Sequence, residues 1–141
     1  MVIVHIWNMD GLTDVVNEIP EAASKLAEKF WPGPMTLVMN KKSSVPDRTT
    51  GGLDTVAVRM PVDEIARALI RVSGVPIAAP SANRSGRPST TTAAHCVEDL
   101  DGRIEMIIDG GPVDIGLEST IVDVTGNIPM LLRPARTNFG R

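Results

Sequence analysis

The chain has 141 residues and a net charge of −3, a length that fits a single domain able to bury a hydrophobic core. Seventeen acidic and fourteen basic residues exclude a strongly basic nucleic-acid-binding protein, and two Phe and two Trp are too few for a base-stacking surface. One cysteine and two histidines exclude an internal disulfide and a multi-cysteine zinc site.

The first part of the chain alternates predicted strands and helices. Residues 2–6 are a predicted strand, and apolar residues at helical spacing predict a helix from Pro20 to Phe30, which Pro32 and Pro34 end. Strands are predicted at residues 35–39 and 55–60, with a loop over residues 40–54. No apolar run reaches the ~18–20 residues that span a bilayer, and residues 1–7 lack a signal-peptide pattern. We therefore expect a cytoplasmic protein.

In the second part of the chain, strands and helices continue to alternate at first, but the last two predicted strands follow each other without a helix between them. A helix is predicted at residues 63–73, with Asp63 as N-cap and Gly74 as its stop, followed by a strand at 76–80. A helix at about residues 92–100 follows, capped by a hydroxyl side chain, then a strand at 104–108 and a turn at 109–112. Residues 119–124 and 129–133 form a predicted hairpin. Because these last strands have no helix between them, we predict an α/β fold with a mixed sheet.

The segment PSANRSGRPSTT, residues 80–91, follows a strand and precedes a helix, which is where α/β proteins bind ligands. The hydroxyl groups of Ser81 and Ser89, the cations Arg84 and Arg87 and the free amides of a helix N-terminus would suit a phosphate. A solvated loop with a helix cap explains the same composition equally well. No Gly-Lys-Ser/Thr sequence occurs in the chain, which excludes a P-loop.

Three residues at strand ends are open to two interpretations. Arg59 suits a ligand carboxylate, but an ion pair with Asp54 or Glu118 is favoured by the sequence alone. Thr55, which opens the same strand, is either a ligand donor or a surface residue. Ser119 either binds a ligand or caps the strand that follows it.

The remaining polar residues on strands favour structural roles. Arg133 ends the last predicted strand, where a surface position is expected. His5 lies on an apolar strand, where a core or edge histidine is more frequent than a ligand-binding one. The sequence has neither a Gly-x-Ser-x-Gly elbow with a positioned base nor a diagnostic pair of carboxylates, so it predicts no catalytic triad.

Six short motifs carry a resemblance to a known family. They are KFWPGPMTL at residues 29–37, VAVRMP at 56–61, APSANRSG at 79–86, DGGP at 109–112, ESTIVD at 118–123 and LRP at 132–134. In this order they resemble the YrdC/TsaC-like domain of L-threonylcarbamoyl-AMP synthases. The similarity runs from Val2 to about Pro134.

The resemblance implies a twisted α/β sheet of mixed parallel and antiparallel strands with flanking helices. It implies conversion of L-threonine, bicarbonate and ATP, with Mg²⁺, into threonylcarbamoyl-AMP and pyrophosphate. This nucleotidyl transfer would serve the threonylcarbamoyladenosine modification of tRNA and the downstream tRNA-modification proteins. The implied ATP-binding residues are Thr55, Ser81, Ser89 and Arg133, and the implied L-threonine-binding residues are His5, Arg59, Ala79 and Ser119. The resemblance carries over no metal ligand and no catalytic side chain.

The chain departs from the family pattern at its start. The family's domain begins earlier, with a Lys/Arg-containing motif that grips the triphosphate, and residues 2–6 resemble the stretch just after it. Residues 1–134 are therefore interpreted as a partial domain and 135–141 as a tail, with Ala135 in place of a usual glycine. We expect this chain to synthesise the adenylate poorly, and robust pyrophosphate release that depends on threonine and bicarbonate would contradict this.

Two alternative functions stay open at this stage. One is a non-catalytic domain that binds a nucleotide or double-stranded RNA, and the absence of salt-sensitive RNA binding would contradict it. The other is a carbamoyl-transfer module like that of hydrogenase-maturation proteins, which carry additional zinc-finger and acylphosphatase regions. The residues that could form a basic RNA-binding surface are Lys41, Lys42, Arg48, Arg84 and Arg87.

Overall fold

The computed structural model describes residues 2–113 and 118–134, which divide into two compact units. The first unit comprises residues 2–79 and 119–134, and the second comprises residues 80–113 and 118. None of the helices among these residues is long and apolar enough to cross a membrane.

The first unit is built on a six-stranded sheet in the order β4-β1-β3-β2-β5-β6. Strand β1 pairs in parallel with β3, and β2 with β5, while the other three pairs are antiparallel. The mixed sheet and the final hairpin predicted from the sequence are therefore confirmed. The strands are β1 (Ile3–His5), β2 (Met35–Asn40), β3 (Thr55–Arg59), β4 (Ile77–Ala79), β5 (Thr120–Asp123) and β6 (Met130–Arg133).

Alternation along the strands gives the sheet a core face. Successive side chains of a strand point to opposite faces, so every second residue shares a face. The aliphatic side chains of the core face pack against residues of the helices, such as Ala23 and Ala27. The strand residues of this face are Val4, Met35, Leu37, Met39, Val56, Val58 and Val122.

Helices α1 (Glu21–Phe30) and α3 (Glu64–Ser73) begin and end within a residue or two of their predicted bounds. The Asp63 carboxylate accepts a hydrogen bond from the amide of Ala66 at 3.2 Å, which caps α3 as predicted. Gly74 follows α3 with a φ of 73°, a left-handed conformation that favours glycine. The local sequence therefore defines these ends.

Two short helical segments were not predicted. A 3₁₀ helix spans Met9–Asp14 and buries Leu12, and a single helical turn, α2, spans Asp47–Thr50 within the predicted loop. Both are too short to show a helical period in the sequence, since one turn needs only three to four residues.

The second unit contains α4 (Ala93–Leu100), which Thr92 caps by accepting a hydrogen bond from the amide of His95 at 3.2 Å. The predicted turn at residues 109–112 is confirmed, since the Asp109 carboxylate accepts from the amide of Gly111 at 2.9 Å. The strand predicted at residues 104–108 is wrong, because this segment pairs with no strand among the described residues. A strand requires a neighbour that pairs with its backbone groups, and an alternating pattern carries no information about that neighbour.

Candidate substrate site on the polar face of the sheet

The sheet face opposite the core face combines a small apolar patch with polar side chains, and we call it the polar face. Val38, Ala57 and Ile121 form the buried patch, with Ile3 packed against it. The same alternation that assigns Val58 to the core face places Arg59 and Thr55 on the polar face.

Strand register brings one residue from each strand into a row across the polar face. His5 lies opposite Arg59, Arg59 opposite Thr36, Thr36 opposite Ile121 and Ile121 opposite Arg133. Residues paired in this way share a face, with Cβ atoms roughly 5 Å apart. On the outer side of His5 the row continues to Ile77 of β4. We call this set the polar row.

Six of the eight predicted site residues belong to the first unit, and three of these six lie in the polar row. His5, Arg59 and Arg133 lie in the row, and the hydroxyl of Ser119, just before β5, reaches it through Thr36 at 2.7 Å. Ala79 lies opposite Ile3, two residues along the sheet from His5. His5, Arg59, Ala79 and Ser119 therefore lie on or next to four adjoining strands of the sheet or the segment before β5, whereas Arg133 lies on the edge strand β6.

Thr55 lies at the other end of β3, opposite Asn40. Four residues of strand separate it from Arg59, which corresponds to about 13 Å. Arg133 is three strands away from Arg59, or about 14 Å. The structure therefore does not bring Thr55 and Arg133, the two predicted ATP residues of this unit, close together.

Arg59 is half-buried, and within the described residues it forms no ion pair, including the predicted alternative with Asp54. Its Nε donates to the carbonyl of Gly33 at 3.3 Å. Burial lowers the pKa of the guanidinium, which nevertheless stays charged near neutrality. The two terminal nitrogens make no hydrogen bond among the described residues, so both are available to donate to the two oxygens of a carboxylate.

His5 is also half-buried, next to this cation. Burial lowers the pKa of the imidazole below its ordinary value of 6.5, and the positive charge of Arg59 lowers it further, against the opposing effect of the Ile77 and Ile3 carbonyls. The ring is therefore favoured in its neutral form at pH 7. Its Nδ1 atom is buried and has no hydrogen-bond partner among the described residues.

Ser119 is held from both sides. Its hydroxyl lies 2.7 Å from the hydroxyl of Thr36, and both side chains are buried. Its carbonyl accepts from Nε and Nη2 of Arg133 at 3.2 and 3.1 Å. Part of the Arg133 guanidinium thus fixes the backbone next to β5, a role that no sequence pattern indicated.

The second unit contains the other two predicted residues, Ser81 and Ser89. The segment around them is braced internally, since the Asn83 amide donates to the carbonyls of Arg84 and Arg87, both at 2.9 Å. The buried Asp99 carboxylate accepts from the amide of Arg84 at 3.2 Å and from the guanidinium of Arg87. The charge of Arg87 is therefore already compensated. Ser81 itself is exposed and Ser89 half-buried.

The proposed basic RNA-binding surface loses one further member. The side chain of Lys41 is only 9% exposed, and its ammonium group donates to the Asp47 carboxylate at 2.7 Å and to the Val45 carbonyl at 2.9 Å. A cation committed to a carboxylate contributes little to phosphate binding. With Lys41 and Arg87 both paired, three of the five cations remain for such a surface.

Sequence reasoning missed Thr36 and Gly33 as parts of this site. Thr36 is fully buried on β2, and Gly33 approaches the Phe30 carbonyl so closely that a Cβ atom would lie 2.3 Å from its oxygen. The available signal was a hydroxyl inside an otherwise apolar strand, next to a Pro-Gly-Pro segment.

No group of three or more His, Cys, Asp or Glu side chains is placed to hold a metal ion in the part of the chain that the structure describes. The described residues therefore form no protein-only cage for Mg²⁺, an ion that proteins usually hold through one or two carboxylates together with substrate phosphates. An ion that accompanies ATP would be bound by the phosphate groups of the nucleotide itself.

A protein-family model named Sua5/YciO/YrdC and described as "Telomere recombination" matches residues 1–135. Threonylcarbamoyl-AMP synthase of Pyrococcus abyssi is 58% identical over 132 residues, which are 94% of this chain and 39% of that protein. The enzyme of the same name from Bacillus subtilis is 53% identical over 133 residues, 94% of this chain and 38% of that protein. The chain thus spans about two fifths of the length of these relatives.

Solved structures agree with the fold. The crystal structure of Pyrococcus abyssi Sua5 complexed with L-threonine superposes with a TM-score of 0.92 at 57% identity, covering 95% of this chain and 39% of that one. Escherichia coli YciO superposes with a TM-score of 0.85 at 22% identity, covering 97% of this chain and 66% of that one, and it supports the fold alone.

Proposed function

The chain belongs to the Sua5/YciO/YrdC family, and from this premise we propose that it provides the L-threonine site of an L-threonylcarbamoyl-AMP synthase. The reaction would join L-threonine, bicarbonate and ATP into threonylcarbamoyl-AMP with release of pyrophosphate and water. The product would supply the threonylcarbamoyl group for tRNA modification. Relatives named for this product and a relative crystallised with L-threonine support the proposal.

The observation that carries the proposal is the guanidinium of Arg59 on the polar face, which forms no ion pair with any residue that the structure describes. A half-buried cation without a carboxylate partner is costly unless a ligand supplies the opposite charge. The carboxylate of an amino acid matches the fork formed by its terminal nitrogens. Arg59 would therefore fix the carboxylate of L-threonine.

His5, Ser119 and Ala79 would contact the remaining groups of the amino acid. A neutral imidazole next to Arg59 adds no second positive charge, so it does not repel the ammonium or carbamate end of the substrate. The Ser119 hydroxyl offers a donor or an acceptor on the same face. Such a set orients the substrate without acid–base catalysis.

ATP would be bound by Thr55, Ser81, Ser89 and Arg133. A nucleotide that contacted both Thr55 and Arg133 would have to extend over about 20 Å of the polar face, given the spacing of the strands between them. Adenylyl transfer needs little covalent participation from the protein, because orienting the carbamate in line with the α-phosphate lowers most of the barrier. Mg²⁺ bound to the triphosphate would supply charge neutralisation.

Titration calorimetry with L-threonine tests this proposal on the chain itself. We expect the wild-type chain to bind L-threonine and the Arg59→Ala variant to bind it at least about tenfold more weakly, because a charge-assisted bidentate contact is lost. The matched control is Arg48→Ala, which removes an exposed cation from α2 and should leave the affinity unchanged. Absence of binding by the wild-type chain, or equal binding by Arg59→Ala, would refute the proposal.

A further inference from the structure

Thr36 is the one polar side chain of the polar row that is completely shielded from solvent, at 0% exposure. It lies between Arg59 on one side and Ile121 on the other. Its hydroxyl contacts the hydroxyl of Ser119 at 2.7 Å, although 83 residues separate the two along the chain. A buried hydroxyl pair at the centre of a candidate site calls for a physical explanation.

Two hydroxyl groups that share one hydrogen bond use only one of their two protons. Within the described residues, neither oxygen makes a second hydrogen bond. If Thr36 donates to Ser119, the Ser119 proton is left to be donated to a ligand, and if Ser119 donates, its two lone pairs are left to accept from one. In both cases the contact with Thr36 restricts the Ser119 side chain to one rotamer.

The segment that carries Thr36 also holds Arg59. The carbonyl of Gly33 accepts from Nε of Arg59 at 3.3 Å, and the amide of Gly33 donates to the Met60 carbonyl at 2.9 Å. The next residue, Pro34, accepts from the amide of Thr120 at 2.9 Å. Residues 33–36 therefore set the separation between the Arg59 guanidinium and the Ser119 hydroxyl.

We propose that Thr36 is a positioning residue that fixes the Ser119 hydroxyl at the distance from Arg59 that L-threonine requires, an inference that rests on the proposed function. Thr36 itself is fully buried and would not touch the substrate. It acts through a contact that only a hydroxyl at this position can make, so its role lies in the site and differs from simple core packing.

The Thr36→Val variant separates these two roles. Valine has nearly the same shape as threonine but no hydroxyl, so no cavity is created at position 36 while the Ser119 hydroxyl loses its partner. Thr36→Ser retains the hydroxyl and loses only a methyl group. Thr13→Val is the matched control, because the Thr13 hydroxyl bonds only to the Asp10 carbonyl at an exposed position of the 3₁₀ helix.

Calorimetry with L-threonine measures the outcome on the full chain. We expect Thr36→Val to weaken the affinity about tenfold, Thr36→Ser to restore it to within about threefold, and Thr13→Val to match the wild type. In a Ser119→Ala background, Thr36→Val should have no further effect, since the positioned group is already absent. Circular dichroism of each variant verifies that the fold is retained.

The results that overturn the inference differ from those that overturn the proposed function. The inference alone is wrong if the wild type binds L-threonine and Thr36→Val binds it equally well. It is also wrong if Thr36→Val weakens the affinity for L-threonine by the same factor in the Ser119→Ala background as in the wild type. If Thr36→Val does not fold, Thr36→Ser carries the test, and a loss as large as that of Ser119→Ala contradicts the inference. If the wild type does not bind L-threonine, the proposed function fails and the inference fails with it.

Discussion

The two faces of the same sheet are organised by different physical rules. On the core face, the side chains of Val4, Leu37 and Val58 are at most 4% exposed and contact other aliphatic groups. On the polar face, Arg59 and His5 are half-buried and are surrounded by hydroxyls, carbonyls and a small apolar patch. Burial is non-directional in the first case, whereas distances and donor geometry matter in the second.

This difference indicates which substitutions change stability and which change binding. Aliphatic groups of the core face can be exchanged for others of similar volume at modest cost. The polar face depends on contacts between residues far apart in the chain, such as Gly33 with Arg59 and Thr36 with Ser119. We therefore expect substitutions on the core face to change mainly the stability, and substitutions on the polar face to change mainly the ligand affinity.

The largest effect is expected for Leu37→Ala on the core face. Leu37 is fully buried within the main cluster, so loss of its side chain should lower the free energy of unfolding by about 2–5 kcal/mol. Urea denaturation measures this change. Leu53→Ala is the control, because Leu53 is 62% exposed and should change stability by no more than about 0.5 kcal/mol.

Arg59→Ala provides the contrast from the polar face. It should alter the free energy of unfolding by no more than about 1 kcal/mol while weakening L-threonine binding. A loss of stability as large as that of Leu37→Ala would show that the two faces do not differ in the way described.

Gly33→Ala should affect both stability and ligand affinity, because Gly33 lies close to the Phe30 carbonyl and also accepts a hydrogen bond from Arg59. A Cβ atom would lie 2.3 Å from the Phe30 carbonyl oxygen, which forces the backbone to move. We expect a stability loss of about 1–3 kcal/mol and weaker L-threonine binding, since the Gly33 carbonyl holds Arg59. Denaturation and calorimetry measure the two effects.

Gly126→Ala is the matched control for this substitution. A Cβ atom at Gly126 would have its nearest contact at 3.9 Å, with the carbonyl oxygen of Ile128. Unchanged stability and affinity are therefore expected. If Gly33→Ala behaved like Gly126→Ala, the close approach to Phe30 would not shape the site.

The smallest expected effect is on the pH dependence of stability. The pKa of His5 is lowered in the folded chain from the ordinary histidine value of 6.5. As the pH falls below 6.5, His5 therefore binds a proton more readily in the unfolded chain than in the folded one. Stability should therefore fall as the pH falls from 6.5, and His5→Gln should reduce that slope. Thermal melts at pH 5, 6, 7 and 8 measure it. An identical slope in both proteins would contradict the lowered pKa.

Much of the core face could be predicted from the sequence. Alternating apolar residues and the Asp63 and Gly74 signals are local, and they defined six strands and three helices to within about two residues. The wrong strand at residues 104–108 shows the limit, because its mostly apolar sequence, IEMII, resembles that of a paired strand. Pairing depends on a partner distant in the sequence.

The polar face was predictable only in part. Motifs identified His5, Arg59 and Ser119 by resemblance, but composition alone favoured an ion pair for Arg59. The contact between Thr36 and Ser119 depends on the register of β2 with β5. Register is set by the packing of the whole sheet, which no local pattern contains.

The central claim, that Arg59 on the polar face binds the carboxylate of L-threonine, is tested most directly by comparing L-threonine with L-threoninol, which lacks the carboxylate. We predict that the wild-type chain binds L-threonine at least about tenfold more tightly than L-threoninol, and that Arg59→Ala abolishes this preference. Equal affinity of the wild type for both compounds, or a preference that survives in Arg59→Ala, would contradict the account.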